Sequence, residues 1–129
     1  MLQSALFGDM FGTAAMRAVF SEDAFIARCV EVEAALARAE ARSGIIPAAA
    51  AEAICAAAAA LAADPQGLDL ARLKRETETV GYPILPLVRQ LAERAGEAGR
   101  YLHWGATTQD IMDTAAVLQI RDGLRPVSY

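Results

Sequence analysis

Helical periodicity, broken at intervals by glycine and proline, is the feature that most limits the folds open to this chain. In the segment 21–42 apolar residues recur every three or four positions, so they share one face of a helix. Ser21 provides an N-cap, and Ser43-Gly44 ends the pattern. The residues of this stripe are Phe25, Cys29, Val32 and Leu36, flanked by Ile26 and Val30.

Further helices follow between breaking residues, and the sequence therefore predicts an all-α fold in a small helical domain. Hydrophobic residues make up 55% of the 129-residue chain, largely through alanine, the strongest helix former, whereas aromatic residues supply 6%. A short helix is expected in the arm before residue 20. The other predicted helices run from Pro47 to about Ala63, Asp69 to Thr79, about Pro86 to Ala95, and near Asp110 to about Leu124.

Charge and cysteine content exclude several classes of function. The net charge is −4 with a pI of about 4.9, and no basic patch interleaved with aromatic residues is present, so nucleic acid is not expected as a partner. Cys29 and Cys55 lack metal-ligand spacing and are expected to be reduced thiols. The most apolar segment, 44–63, is mostly alanine and contains Pro47 and Glu52. We expect no membrane span, no metal and a cytoplasmic location.

The segment from Gly99 to Thr114 holds the only histidine and the only tryptophan, His103 and Trp104. The N-terminus of the helix that follows presents free backbone N–H groups and the positive end of the helix dipole, which suits a bound carboxylate or phosphate. Thr107 and Thr108 would add hydroxyl donors, and His103 can donate a proton or stabilise developing negative charge. These residue types predict an anion site beside a titratable group.

A purely structural interpretation of the same segment stays open. Asp110 can cap the last helix, with Asp113 three residues on, and Thr108 is a competing cap. A lone histidine is more often structural than catalytic, and Trp104 is equally typical of a core or an interface. Spacing alone favours this interpretation.

The run from His103 to Thr114, HWGATTQDIMDT, resembles the first signature region of the fumarase/aspartase superfamily, His-x-Gly-x-Thr-Ser-x-Asp followed by Asp-Thr. Its HWGAT form is most similar to the 3-carboxy-cis,cis-muconate cycloisomerase family. Residues 20–47 look like the N-terminal helical hairpin of the superfamily, and residues 80–89 resemble the cycloisomerase segment that precedes the signature. Thr108 replaces the usual serine, which keeps the hydroxyl. Tyr82 stands where adenylosuccinate lyases place a histidine, which counts against adenylosuccinate as substrate.

The resemblance implies a division of the chain and an assembly. Residues 1–110 would form the N-terminal helical domain, ending in the signature loop, and residues 111–129 would begin the central-bundle helix, cut short. The later signature regions of the superfamily are not in this sequence, so the chain is expected to be part of a homotetrameric enzyme whose active sites are shared between subunits. By itself it is expected to be inactive.

The resemblance also implies a reaction and roles for residues. The activity would be the intramolecular lactonisation of 3-carboxy-cis,cis-muconate, a small tricarboxylate of protocatechuate breakdown, without metal or organic cofactor. His103 and Thr108 would be catalytic. An adenylosuccinate lyase-like or other fumarate-eliminating enzyme, and a non-catalytic helical association module, are the alternatives. The residues expected to bind substrate are Trp104, Thr107, Thr108, Gln109 and Asp110.

Overall fold

The computed structural model describes residues 6–8, 10 and 12–127, and within these ranges the regular secondary structure is all helical, without a strand. The expected all-α fold class is confirmed. Two short 3-10 helices, Pro65–Gly67 and Gly96–Tyr101, lie among the longer elements. The α-helices are α1 (Ala14–Val19), α2 (Glu22–Arg42), α3 (Ala48–Ala63), α4 (Leu70–Val80), α5 (Ile84–Ala95) and α6 (Thr108–Leu124).

A hairpin of α2 and α3 forms the base of the domain. Ser21 caps α2 as predicted, since its hydroxyl accepts a hydrogen bond from the Ala24 N–H at 3.1 Å. Buried alanines such as Ala37 on α2 and Ala58 on α3 let the two helices approach closely, because a methyl group occupies little space between them. Gly44, with φ of +71°, ends α2 and turns the chain into α3.

The second layer consists of α4 and α5, joined to each other by a buried amide. Gln90 on α5 is 6% exposed. Its Oε1 accepts a hydrogen bond from the Asp69 N–H at 2.9 Å, and its Nε2 donates to the Asp69 carbonyl at 3.1 Å. The Asp69 side chain in turn caps α4 by accepting from the Arg72 N–H at 2.8 Å. This bonding fixes the start of α4 against the middle of α5.

One apolar core runs between these layers, and α6 closes it. Ile111 and Ala115 on α6 are 1% and 0% exposed, and they pack beside α2. Burying a side chain of leucine size stabilises the fold by roughly 1.5–3 kcal/mol. The largest apolar side chains that are fully buried in this core are Ile54, Ile84, Leu87, Leu91 and Ile111.

The observed elements depart from the predicted ones at three places. Helix α5 begins at Ile84, before Pro86, because proline is tolerated in the first turn of a helix. The segment from Gly96 to Tyr101, expected as loop, is a 3-10 helix. Helix α6 begins at Thr108, so the predicted boundary after residue 110 falls inside this helix, and the two-part division stays a prediction.

The inward face of α2 is also turned relative to the predicted stripe. Cys29 and Val30 are buried as expected, but Val32 and Leu36 are only partly buried. Burial raises the pKa of the Cys29 thiol to about 12, whereas Cys55 is only half-buried. The residues of α2 that are buried are Cys29, Val30, Glu33, Ala34, Ala37 and Glu40.

The part of the chain that the structure describes contains no helix with both the length and the apolarity to cross a bilayer. Over the same residues, histidine, cysteine, aspartate and glutamate side chains form no group of three or more that could hold a metal ion.

Candidate functional site

A cleft of about 600 Å³ lies between α2 and the start of α6. One wall is formed by Val32, Leu36 and Glu40 of α2, and the other is the turn Trp104–Ala106 with the first turns of α6. The predicted signature segment therefore borders a concave surface, as a binding site requires. Its lining residues are Val32, Leu36, Glu40, Ile45, Trp104, Gly105, Ala106, Asp110, Ile111 and Thr114.

The N-terminus of α6 is capped by its own residues. Thr107 is the N-cap, and its backbone N–H donates a hydrogen bond to Asp110 Oδ2 at 2.9 Å. The expectation that Asp110 itself is the cap, paired with Asp113, is wrong: Asp110 occupies the third helical position, and Asp113 accepts from Gln109 Nε2 at 2.6 Å. Because Asp110 places a carboxylate at the positive end of the helix dipole, it stabilises the helix and competes with a bound anion there.

His103 is not among the residues that line the cleft, and its side chain contacts α2. Its Nδ1 lies 2.6 Å from Oε1 of Glu33, a residue 70 positions earlier in the chain. The Glu33 side chain is 1% exposed, and that of His103 is 21% exposed. The contact joins the turn before α6 to the centre of the hairpin, so it fixes the ring of the only histidine.

Two carboxylates of α2 are buried near His103. Burial raises the pKa of Glu33 above its ordinary value, and the charge and hydrogen bond of His103 oppose that rise. Burial likewise raises the pKa of Glu40, again opposed by the charge of His103. Glu33 Oε2 and Glu40 Oε2 accept no hydrogen bond from the described residues. An unsatisfied buried oxygen costs stability, so both positions favour protonation or a partner from outside.

The turn that carries His103 and Trp104 has an unusual backbone. His103 has φ of +59° and Gly105 has φ of +69°. Glycine adopts this region without strain, whereas a residue with a side chain is strained there. The surrounding fold therefore holds His103 in this conformation. The Trp104 side chain, 53% exposed, emerges beside the cleft, and its ring centroid lies 6.4 Å from that of Tyr101.

Two of the predicted site residues line the cleft, and the others do not. Trp104 and Asp110 line the cleft. Thr107 and Thr108 lie at the beginning of α6, and the Gln109 amide is engaged with Asp113 on the surface. His103 contacts Glu33 through Nδ1 and is not among the lining residues. The catalytic and substrate-binding roles of all these residues stay predictions.

Sequence reasoning missed the two buried glutamates. Glu33 and Glu40 lie four and eleven positions after Cys29, spacings that return to the same helix face, and this periodicity could have found them. They were overlooked because an acid within an amphipathic helix is usually solvated.

Comparison with known proteins decides the family. The sequence profile of a family described as Lyase matches residues 10–127, nearly the whole chain. The chain belongs to this lyase family, the fumarase/aspartase superfamily. Among solved structures, a fumarate lyase from Mesorhizobium sp. BNC1 is 64% identical, with a TM-score of 0.80 over 87% of this chain and 25% of its own. The 3-carboxy-cis,cis-muconate lactonizing enzyme from Pseudomonas putida is 40% identical, with a TM-score of 0.84 over 96% of this chain and 28% of its own.

Curated lyases with different reactions match about equally well. Trans-aconitate decarboxylase 1 of Mycosarcoma maydis is 46% identical, covering 90% of this chain and 23% of its own length. N-acetyl-S-(2-succino)cysteine lyase of Dickeya dadantii is 42% identical, covering 90% and 24%. The 3-carboxy-cis,cis-muconate cycloisomerase of Pseudomonas aeruginosa is 46% identical, covering 92% and 26%. The chain thus spans about a quarter of the length of these relatives, which share the family but not one reaction.

Proposed function

We propose that this chain forms the first part of a 3-carboxy-cis,cis-muconate cycloisomerase and contributes one wall of its active site. The observation that carries the proposal is the HWGATTQD segment at the cleft, which resembles the signature of that family, in a chain 46% identical to the cycloisomerase of Pseudomonas aeruginosa. We place the enzyme in the cytoplasm as a homotetramer that binds a small tricarboxylate substrate.

The proposed reaction closes a lactone within one molecule. An oxygen of one carboxylate forms a C–O bond to an alkene carbon, and the π electron pair moves to the neighbouring carbon. The adjacent carboxyl group spreads this charge until the carbon takes a proton. Catalysis therefore requires groups that hold carboxylates and stabilise an enolate-like state. Thr107, Thr108 and Gln109 would hold a substrate carboxylate, and His103 would hydrogen-bond the substrate or position an acid.

The charge of the cleft supports a site completed by other parts of the enzyme. The described lining residues include two carboxylates, Glu40 and Asp110, and neither a lysine nor an arginine. Such a wall alone offers a tricarboxylate no opposite charge, and an ionised Asp110 carboxylate would repel it. The positive charge that binds this substrate must then come from elsewhere in the assembly, and the 129-residue chain alone is expected to show no turnover.

A fumarate-eliminating lyase is the second candidate, and one observation favours it. N-acetyl-S-(2-succino)cysteine lyase of Dickeya dadantii is 42% identical over 116 residues. An adenylosuccinate lyase-like activity belongs to the same class. Both candidates need the same carboxylate-binding wall, so the geometry of the cleft alone does not separate them.

Substrate assays on the whole protein that contains this region test the two candidates. We expect lactonisation of 3-carboxy-cis,cis-muconate and no release of fumarate from N-acetyl-S-(2-succino)cysteine or adenylosuccinate. The opposite pattern would replace the first candidate by the second. His103→Ala should lower kcat by about 100-fold or more, as for the loss of a group that moves or holds a proton. It should also lower the unfolding midpoint, because the buried Glu33 carboxylate loses its partner. A collapse of stability with little change in kcat would assign His103 a structural role.

A further inference from the structure

We propose that Glu33 is a positioning residue for His103: its carboxylate binds Nδ1 and thereby leaves Nε2 as the ring nitrogen available to substrate. The inference rests on the proposed function, in which His103 contacts substrate. Glu33 itself lies 1% exposed beneath the ring, so it would act only through the histidine.

The first support is the geometry of the pair. Nδ1 and Oε1 are 2.6 Å apart, which is a short and strong hydrogen bond for these atoms. Nε2 of His103 has no hydrogen-bond partner among the described residues, and the side chain keeps 21% of its surface exposed. One ring nitrogen is therefore held in the interior, while the other is left for an incoming group.

The second support is the free-energy cost of burying a carboxylate at position 33. Its Oε2 accepts no hydrogen bond within the described part of the chain, and Cys29, Ala34 and Ala37 are buried on the same helix. A leucine at position 33 would avoid the desolvation of a carboxylate, so packing does not explain an acid there. A role in holding the imidazole does explain it, because histidine orientation at reactive sites is commonly set by a hydrogen bond to the other nitrogen.

The third support is the backbone of His103. A φ of +59° is unfavourable for a residue with a side chain. Gly105, two residues later, takes a similar φ without this cost. The histidine is kept in the strained position, where its ring reaches Glu33. The contact between His103 and Glu33 therefore compensates for part of the backbone strain, which a glycine at position 103 would not have.

The ring tautomer provides a test that needs no enzymatic activity. An ionised carboxylate only accepts hydrogen bonds, so a neutral His103 bound to it must carry its proton on Nδ1. Because His103 is the only histidine, its two ring nitrogens are the only imidazole signals in ¹⁵N-labelled protein. When the wild-type ring carries a single proton, we expect it on Nδ1, with Nε2 unprotonated. A predominantly Nε2-protonated ring in the wild type would overturn the proposal.

Variants extend the test. Glu33→Leu removes the acceptor without leaving a cavity and should move both ring nitrogen signals towards the Nε2-protonated form. Glu31→Gln, an exposed change on the same helix, is the control and should leave them in place. Unchanged signals in Glu33→Leu would also overturn the proposal. If Glu33→Leu does not fold, the wild-type tautomer decides alone. An inactive whole enzyme with the expected tautomer would instead refute the proposed function and leave the positioning role intact.

Discussion

Glu33 on α2 and His103 in the turn before α6 are joined by a 2.6 Å contact across 70 residues of sequence. Because Glu33 is buried, folding removes the hydration of its carboxylate. The contact with His103 compensates for this lost hydration only in part. The pair links the helical hairpin to the segment that carries the family signature.

This relationship predicts how stability depends on pH. Burial raises the pKa of Glu33 in the folded state, so the folded protein binds this proton more tightly than the unfolded chain does. Its stabilising contribution is complete below the ordinary glutamate pKa of about 4.3 and is lost as the pH rises through the raised value. Glutamine at position 33 does not titrate. The stability of the Glu33→Gln variant relative to the wild type should therefore increase as the pH rises from 4 to 8.

Urea unfolding of both proteins across this range measures the difference. Glu40 also has a raised pKa, but it is present in both proteins, and its contribution largely cancels. A stability difference that does not change with pH would show that Glu33 ionises in the folded protein as it does in the unfolded chain.

Gly99 is predicted to be required for packing of the 3-10 helix that leads into the signature turn. A Cβ atom at Gly99 would lie 2.9 Å from the Ala92 carbonyl carbon and from Ala92 Cα, which are backbone atoms of α5 that cannot rotate away. Gly99→Ala should therefore lower the free energy of unfolding by about 1–3 kcal/mol, the range typical of overpacking. At Gly12 the same methyl group would meet nothing within 4 Å, so Gly12→Ala should be close to neutral in the same denaturation experiment.

Particular residues show how far the sequence alone could lead. Helix bounds at α2 and α3 were predictable because Ser21, Gly44 and Pro47 act through local chemistry that is independent of the rest of the fold. The family followed from residues 103–114, since one run of sequence carries the signature. The Glu33–His103 contact was not predictable, because a 70-residue separation is bridged only by tertiary packing.

Asp110 is predicted to stabilise the start of α6 whatever its part in binding. Asp110→Ala removes the acceptor for the Thr107 N–H and should cost about 1 kcal/mol, as the loss of an N-terminal capping interaction does. Asp110→Asn retains a side-chain oxygen and should recover part of this loss. Asp113→Ala is the control, since that carboxylate bonds a surface amide, and it should change the unfolding midpoint little. Equal effects of the alanine variants at 110 and 113 would contradict the capping role.

The outer face of α6 is predicted to mediate self-association. Val117, Ile120 and Leu124 are 62%, 51% and 59% exposed, and their spacing places them along one stripe of the helix, opposite the buried Ile111 and Ala115. Exposed apolar stripes of this kind are typical of interfaces between chains, because association removes them from water. The purified chain should therefore form oligomers whose population, measured by light scattering, rises with concentration.

Changing Val117 and Ile120 together to serine should shift the population towards monomer with little loss of the helical circular dichroism signal. Serine at Ala116, which is exposed but small, should not shift the population. A wild-type chain that stays monomeric at high concentration would show that this stripe does not drive association.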